Sequence, residues 1–328
     1  MGASVLASRN KFHCDSLCRN FRRVSQKTNN TFIIASLLLT IFLWGGNNVG
    51  TKWLVAHWPV IWMGSIRLLI AGPVLLAVLR FTNWLGEWRT PTAAQQKQMW
   101  LGGGLSLALY IIAFNWGLKL TAASHIALCL GASPVWALLM DEKPQRSWRS
   151  ARRYGAAALA ASGVAVLFWP ALQNPKASLL GDFCGLIASI LWALFSRQIR
   201  RHSAELSGVE VAAHTMWMAG AWLLPIGLIE IAMQGISMDE QQIGILGLCA
   251  ILGAVVPYAL WNSALRHWQT SRVMLFNNLI PLSTMLWANH FFGEPMTRTF
   301  WLAMVLIVAG VGLGQGDWVK IFKLPESF

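Results

Sequence analysis

The chain carries ten apolar segments that are each long enough to cross a lipid bilayer, and only short polar stretches separate them. A helix needs about 20 mostly apolar residues to cross the hydrocarbon core. Because a lone strand in lipid would leave backbone groups without hydrogen-bond partners, each segment is predicted to be a helix. The sequence therefore predicts an all-α integral membrane protein with ten transmembrane helices, at residues 32–52, 60–79, 99–118, 122–140, 153–170, 179–197, 210–232, 242–264, 273–292 and 299–316.

The composition agrees with this class of protein. Hydrophobic residues make up 55% of the chain and charged residues only 12%, whereas a soluble domain carries about 25% charged residues. The net charge of +13 would indicate nucleic-acid binding in a soluble domain. Here the basic residues lie in short loops and tails, so we expect membrane lipid as the partner and no binding of nucleic acid.

The distribution of Lys and Arg predicts the orientation of the chain. With the N-terminus in the cytoplasm, the loops on the opposite side hold Lys52, Lys119, Lys176 and Arg298, out of 26 basic residues. Arg67 lies inside a predicted span, and the others fall in cytoplasmic loops or tails. This excess on one side is the positive-inside pattern, and it predicts that both termini are cytoplasmic.

The two halves of the chain resemble each other weakly. A shift of 148 residues aligns Trp44 with Trp192, and a shift of 147 residues aligns Asn115 with Asn262, Ser124 with Ser271, Pro134 with Pro281, and Gly163 with Gly310. Each unit holds five predicted spans, so the second must enter the membrane from the opposite side, as in the inverted repeats of secondary transporters. The predicted organisation is a basic cytoplasmic tail (1–31), two five-helix repeats (32–170 and 179–316) and a cytoplasmic C-terminal tail (317–328).

Several short motifs resemble the EamA family of the drug/metabolite transporter superfamily. The first span reads FLWGGNNVGTKWLV, the second contains SIRLLIAGPVLL, and Gly293-Glu294-Pro295 follows the ninth. The segment at 141–144 departs from the family pattern, since it follows Pro134 too closely. The resemblance covers nearly all of the chain after residue 30. It implies two inverted five-helix units, a location in the cell inner membrane, and transport or export of metabolites.

Polar and aromatic side chains inside the predicted spans are the candidate substrate-binding residues. Such groups are costly in lipid, so they either line a cavity or hydrogen-bond between helices, and both interpretations remain open. Arg67 is expected either to pair with a substrate carboxylate or to hold an internal hydrogen-bond network. The candidates are Trp44, Asn47, Asn48, Arg67, Tyr110, Asn115, Trp192, Ser196, Tyr258, Asn262, Asn277 and Asn278.

Titratable residues are scarce in the predicted spans. No carboxylate falls clearly at mid-bilayer, which argues against a simple Asp or Glu proton relay. His125 and His214 lie near span ends, where solvation at the interface accounts for them. Glu210 lies one turn from His214 near the cytoplasmic mouth and is a weak candidate for a titratable pair. Pro281, one turn after Asn277 and Asn278, predicts a local kink.

These observations favour a secondary transporter that exports amino acids or related small metabolites by alternating access. The alternatives are a membrane-embedded enzyme or a scaffold that transports nothing. No catalytic residue, metal ligand or cofactor is predicted, since Cys14 and Cys18, although they follow His13, match no zinc-site spacing. The chain has no phosphate-binding loop of an ATP-driven pump. The oligomeric state is left open, with a homodimer as one option.

Overall fold

The structure is a computed structural model that describes residues 30–82, 88–133, 135–136, 140, 148–173, 178–202, 206–267, 273 and 275–315. The regular structure of these residues is helical throughout. The helices are α1 (Asn30–His57), α2 (Val60–Phe81), α3 (Ala93–Leu120), α4 (Ala123–Gly131), α5 (Trp148–Gln173), α6 (Leu179–His202), α7 (Gly208–Gln234), α8 (Glu240–Ala250 and Val256–His267), α9 (Ile280–Phe292) and α10 (Arg298–Gln315).

Six helices are long and apolar enough to cross a membrane: α1, α2, α3, α6, α7 and α8. Two shorter apolar stretches lie in α5 (Tyr154–Leu167) and α10 (Arg298–Leu313). The predicted class, an all-helical multi-pass membrane protein, is thereby confirmed. The count of ten spans stays a prediction, because the helical segments described for α4 and α9 are shorter than a bilayer-crossing helix. The tails, Pro134 and residues 141–147 lie outside the described residues.

Three helices contain or adjoin a change of helical geometry. A π-helical turn interrupts α3 at Met99–Gly104, and another lies in α8 at Ile251–Val255. A 3-10 helix at Leu275–Leu279 leads into α9, whose first turn contains Pro281. At the position of the expected proline kink, the geometry therefore changes from 3-10 to α. Pro281 fits the first turn of α9, because an N–H at that position would have no partner within the helix.

Close approach of small residues brings the helices together in pairs. The most extensive contacts join α2 to α7, α5 to α10, and α3 to α6, while α1 packs between α8 and α9. In the α2–α7 pair, a Cβ at Gly72 would lie 2.6 Å from the Trp217 backbone nitrogen, and one at Gly220 would lie 3.0 Å from that of Leu69. Only glycine permits such contact between backbones, and it suits helix packing in a membrane.

The bundle has two ends, which we name after a carboxylate in each. The Glu294 end contains the α1–α2, α3–α4, α7–α8 and α9–α10 connections, and the Glu210 end contains the α2–α3 and α6–α7 connections. Sequence signals set several helix boundaries. Thr92 and Gln95 form a capping box at α3, and Asp239 and Gln242 form one at α8, which satisfies backbone N–H groups that a helix start leaves open.

Candidate functional site

A cavity of about 120 Å³ lies among α1, α2, α3, α4, α6, α7, α8 and the start of α9. Eight of the predicted site residues line it: Trp44, Asn47, Asn48, Arg67, Tyr110, Trp192, Tyr258 and Asn277. These residues come from segments far apart in the chain. The fold brings their side chains together, which their spacing in the sequence did not predict.

The cavity lies in the middle of the bundle, between the Glu210 end and the Glu294 end. Its lining residue on α7 is Met216, eight residues after the helix begins at Gly208. That separation is about 12 Å along the axis. On α2 the lining residue Arg67 is seven residues after the helix begins at Val60, at the Glu294 end, which is about 10 Å. A solute in the cavity would therefore lie at a similar depth from both ends.

Arg67 is the charged group in the cavity wall. Its side chain is buried, and Nη1 donates to the Thr51 hydroxyl at 2.6 Å and to the Asn47 amide oxygen at 3.4 Å. Among the residues that the structure describes, no Asp or Glu forms an ion pair with it. A guanidinium has five donors in a planar fork that matches a carboxylate, so this wall is suited to an anionic group.

Two pairs of aromatic rings flank the cavity. The Trp44 and Tyr258 ring centroids are 5.9 Å apart, and those of Tyr110 and Trp192 are 5.1 Å apart. Arg67 is near enough to both tyrosines to act on them electrostatically. Aromatic faces attract cations and pack against apolar groups. The cavity therefore combines an anion-binding group with surfaces that suit an apolar or cationic group.

The two predicted amides of α1 have different surroundings. The Asn48 amide nitrogen donates to the Thr284 hydroxyl at 2.9 Å, which ties α1 to α9. Asn47 accepts a hydrogen bond from Arg67 and lies against Gly253 of the π-helical turn, where a Cβ would overlap its side chain. Asn48 therefore makes a packing contact as well as lining the cavity, so both interpretations of this polar face apply to one side chain.

Four candidates lie outside the cavity lining. Asn115 donates to the Val60 carbonyl at 3.1 Å, while Ser196 and Asn262 donate to carbonyls one turn earlier in their own helices. Asn278 is buried next to Asn277 but does not line the cavity. The cavity is also lined by residues that were not predicted from the sequence, among them Phe114, Ser133, Met216 and Gly253. Only Ser133, next to Pro134, gave a polar signal, because apolar lining residues look like any residue of a membrane helix.

Glu294 joins three parts of the Glu294 end. Its Oε1 accepts from Lys52 Nζ and from the Ala123 backbone N–H, both at 2.9 Å, and its Oε2 accepts from the Ser124 hydroxyl at 2.7 Å. Burial raises the pKa of this carboxyl, but Lys52 and the donors of Ser124 and Ala123 outweigh burial and hold the pKa below its ordinary value of 4.5. The carboxylate is therefore charged and links α1, the start of α4 and the α9–α10 connection.

Two further carboxylates reinforce the same end. Both oxygens of Glu230, near the end of α7, accept from backbone N–H groups in the first turn of α2, at 2.8 to 3.1 Å. Asp182 accepts from the Thr121 hydroxyl at 2.8 Å and lies 3.1 Å from His125 Nδ1. Solvation at the interface is therefore an incomplete account of His125, whose ring contacts a buried carboxylate.

The Glu210 end has a weaker link. Glu210 is fully buried, and its Oε1 accepts from the Arg89 backbone N–H at 3.1 Å, while its Oε2 finds no hydrogen-bond partner among the described residues. His214 is only 8% exposed, so the expectation of interfacial solvation is wrong for this residue. Apolar residues of neighbouring helices pack against the start of α7, among them Leu79 of α2 and Met99 of α3. The sequence of α7 alone does not reveal this burial.

A family model and two relatives show what the chain is similar to. The model described as "EamA-like transporter family" matches residues 31–169 and 179–313. The chain is 26% identical over 292 residues to a protein of Salmonella typhimurium LT2 named "Probable amino-acid metabolite efflux pump", covering 84% of this chain and 91% of that protein. A protein of Escherichia coli K12 with the same name is 25% identical over 304 residues, with 88% and 94% covered.

A solved structure gives independent support for the fold. One crystal structure superposes with a TM-score of 0.57 at 20% sequence identity, and the match covers 86% of this chain and 95% of that chain. At this identity the similarity concerns the fold alone. The family model matches most of the chain, as the motifs of the first and second spans predicted. The chain belongs to the EamA-like transporter family, a family of multi-pass membrane transporters.

Proposed function

We propose that this chain exports amino acids or related small metabolites across the cell inner membrane, and that the solute passes through the central cavity. The observation that carries the proposal is the pairing of Arg67 with aromatic side chains in one buried cavity. An amino acid has a carboxylate for the guanidinium, and its ammonium and side chain fit aromatic walls. The names of the two bacterial relatives favour the same class of solute.

The contacts between helices support two inverted five-helix repeats. A Cβ at Gly163 would lie 2.9 Å from the Ala303 carbonyl oxygen, and one at Gly310, which is 147 residues later, would lie 2.8 Å from that of Ala156. Ala303 is also 147 residues after Ala156, so the two contacts are equivalent. The α2–α7 pair has the same relation with a shift of 148, since Gly72 contacts Trp217 and Gly220 contacts Leu69.

The aromatic walls follow the same relation. Tyr258 is 148 residues after Tyr110, as Trp192 is after Trp44, and each Trp–Tyr pair joins one half of the chain to the other. A site built from equivalent parts of two inverted halves can be exposed to alternate sides when the halves rock. With ten helices in this arrangement, the 3-10 segment and α9 together supply about 30 Å, enough for one crossing.

The orientation follows from the distribution of charge. With both termini cytoplasmic, the Glu294 end faces away from the cytoplasm, and the Glu210 end faces it. The linked carboxylates at the Glu294 end would then close the outer mouth. This arrangement suits the loading step of an exporter, in which the solute enters from inside.

The proposal is tested by efflux from proteoliposomes loaded with an equimolar mixture of the common L-amino acids, measured by mass spectrometry. We expect one or several amino acids to leave faster than from protein-free vesicles. Trp192→Ala should reduce this flux several-fold, because it removes a cavity wall. Trp301→Ala is the matched control, since Trp301 is exposed on α10. Folded protein with no flux of any amino acid would contradict the proposal.

The role of Arg67 is tested in the same assay. Arg67→Gln removes the charge that we expect to bind the carboxylate, whereas Lys97→Gln removes an exposed charge. We expect a larger loss of flux for Arg67→Gln than for Lys97→Gln at equal protein folding. Amino-acid amides, which lack the carboxylate, should compete poorly for wild-type efflux. Equal competition by acids and amides would exclude Arg67 as the carboxylate-binding group.

A further inference from the structure

Within the part of the chain that the structure describes, two buried polar atoms near the start of α7 have no hydrogen-bond partner. They are Oε2 of Glu210 and Nε2 of His214. Glu210 is fully buried and His214 is 8% exposed, so water at the surface does not readily satisfy either atom. Nearly all buried polar groups in proteins are paired, so an unpaired atom of this kind needs an explanation.

The hydrogen bond of the His214 ring identifies the proton on its other nitrogen. The Trp217 indole N–H donates to His214 Nδ1 at 3.2 Å. A neutral imidazole that accepts at Nδ1 carries its proton at Nε2. His214 therefore offers a buried donor with no acceptor, and Glu210, one helical turn away, has a buried acceptor with no donor. One bridging water between them would satisfy both atoms.

A purely structural role explains only part of Glu210. A carboxylate in the first turn is favourable next to the helix N-terminus, and Oε1 accepts from the Arg89 backbone N–H at 3.1 Å. These interactions account for Oε1. They leave Oε2 and the His214 donor unexplained, whereas both oxygens of Glu230, at the far end of the same helix, are satisfied.

The charged surroundings of this pair are sparse among the described side chains. The charged or titratable residues of the neighbouring elements at this end are Arg80, Arg89, Lys97, Arg197 and His267. Of these, Arg89 acts electrostatically on Glu210, and no charged group acts on His214. Glu210 therefore lacks a close ion-pair partner of the kind that Lys52 provides for Glu294.

The pair lies between the cavity and the Glu210 end. Met216, which lines the cavity, is two residues after His214 and six after Glu210. Six residues of helix span about 9 Å. Glu210 therefore lies close both to the water at this end and to the cavity that would hold the solute.

We propose that Glu210 is the proton-binding group that couples transport to pH, with His214 as its positioning residue. This inference rests on the proposed function and names the coupling ion. A hydronium ion at the Glu210 end gives a proton to Oε2: one O–H bond of the hydronium breaks, an O–H bond forms at Oε2, and neutral water is left, so the carboxylate becomes a carboxylic acid. A neutral acid is a poorer acceptor than a carboxylate, so protonation weakens the link from Oε1 to Arg89 and frees the α2–α3 connection from α7.

The test measures exchange of the common L-amino-acid mixture across proteoliposomes, with the same pH on both sides, over a range of pH. We expect wild-type exchange to change several-fold with pH and Glu210→Gln to lose that dependence. His214→Gln should shift the midpoint, because the acid–base group remains while its donor is changed. Glu240→Gln, on the exposed start of α8, should keep the wild-type profile.

The outcomes separate this inference from the function on which it rests. Wild-type exchange with a pH profile that Glu210→Gln retains would overturn the inference and leave the transporter intact, as would wild-type exchange without pH dependence. No exchange in the wild type would overturn both. If Glu210→Gln does not fold, Glu210→Asp takes its place: we expect a shifted midpoint, and an unshifted one would overturn the inference.

Discussion

The two ends of the bundle hold their helices together in different ways. At the Glu294 end, both oxygens of Glu294 and of Glu230 accept hydrogen bonds, and Lys52 supplies an ion pair. At the Glu210 end, among the described residues, one oxygen of Glu210 accepts a single backbone hydrogen bond, and the other accepts none. Carboxylates thus join helices at both ends, and Glu294 and Glu230 use both oxygens where Glu210 uses one.

This difference indicates which end opens more readily. A buried carboxylate with all its acceptors filled stabilises the contact that it makes, whereas an unsatisfied oxygen costs free energy in that conformation. Of the carboxylate contacts among the described residues, movement at the Glu210 end would lose the one hydrogen bond of Glu210, while movement at the Glu294 end would break an ion pair and several hydrogen bonds. We therefore expect the resting chain to be closed at the Glu294 end and to loosen first at the Glu210 end.

The largest expected effect is that of Glu294→Gln. The change removes the charge that Lys52, Ala123 and Ser124 surround, and breaking a largely buried ion pair costs about 3 kcal/mol. We expect a clear fall in the apparent unfolding temperature of the purified protein. Glu240→Gln, at the same end but exposed, is the matched control. An equal, small effect of both changes would contradict the role of Glu294.

Glu230→Gln comes next in expected size. Its two oxygens cap the first turn of α2 through the N–H groups of Val60, Ile61 and Trp62. A neutral amide keeps one acceptor but loses the charge at a helix N-terminus, so we expect a loss of about 2 kcal/mol. Thermal unfolding measures this as well, and the comparison fails if Glu230→Gln is as mild as Glu240→Gln.

Low pH should destabilise the folded protein mainly by protonating Glu294. Because its pKa in the folded protein is below 4.5, the stability that it contributes is present above that value and is lost as the pH falls through the folded pKa. We expect the unfolding temperature of the wild type to drop more steeply below pH 4.5 than that of Glu294→Gln. Parallel curves for the two proteins would show that Glu294 does not set the acid sensitivity.

Ser124→Ala should have a smaller effect. It removes one hydroxyl donor to Glu294 Oε2 and leaves the ion pair with Lys52, so we expect a loss of about 1 kcal/mol. Ser162→Ala is the control, because the Ser162 hydroxyl is exposed and bonds only within its own helix. A difference between the two unfolding temperatures smaller than the error of measurement would count against the Ser124 contact.

Glu210→Gln should have the smallest effect on stability. The amide oxygen can still accept from Arg89, and an amide nitrogen replaces the unsatisfied carboxylate oxygen. One unpaired polar group is thus exchanged for another, so we expect a change of about 0.5 kcal/mol. This is the sharpest comparison with Glu294→Gln, since the same substitution is made at opposite ends. A loss as large as that of Glu294→Gln would mean that both ends are held equally.

The sequence predicted the membrane class and the family well, because long apolar segments leave few alternatives to a helix in lipid. It also predicted eight of the cavity's twenty lining residues, because side chains such as Asn47, Arg67 and Trp192 are costly or bulky in a membrane helix and need a reason to be there. It did not predict that Asn115 would bond to the Val60 carbonyl. A polar side chain that joins two helices and one that lines a cavity give the same sequence pattern.

The carboxylates at the two ends were located by the sequence but not explained by it. Glu230, Glu294 and Asp182 lie near span boundaries, where solvation would account for them. Their partners are backbone groups and side chains of the other half of the chain, and no local pattern reveals such partners. The burial of His214 was hidden for the same reason, since neighbouring helices enclose it.

The most direct test labels a Trp44→Cys variant, in a background without the native cysteines, with a maleimide that does not cross membranes. Trp44 lines the cavity, so labelling reports which mouth is open. We expect labelling from the cytoplasmic side in the resting protein, and added labelling from the outside when Glu294→Gln is introduced. Labelling of the resting protein from the outside alone would contradict a closed Glu294 end.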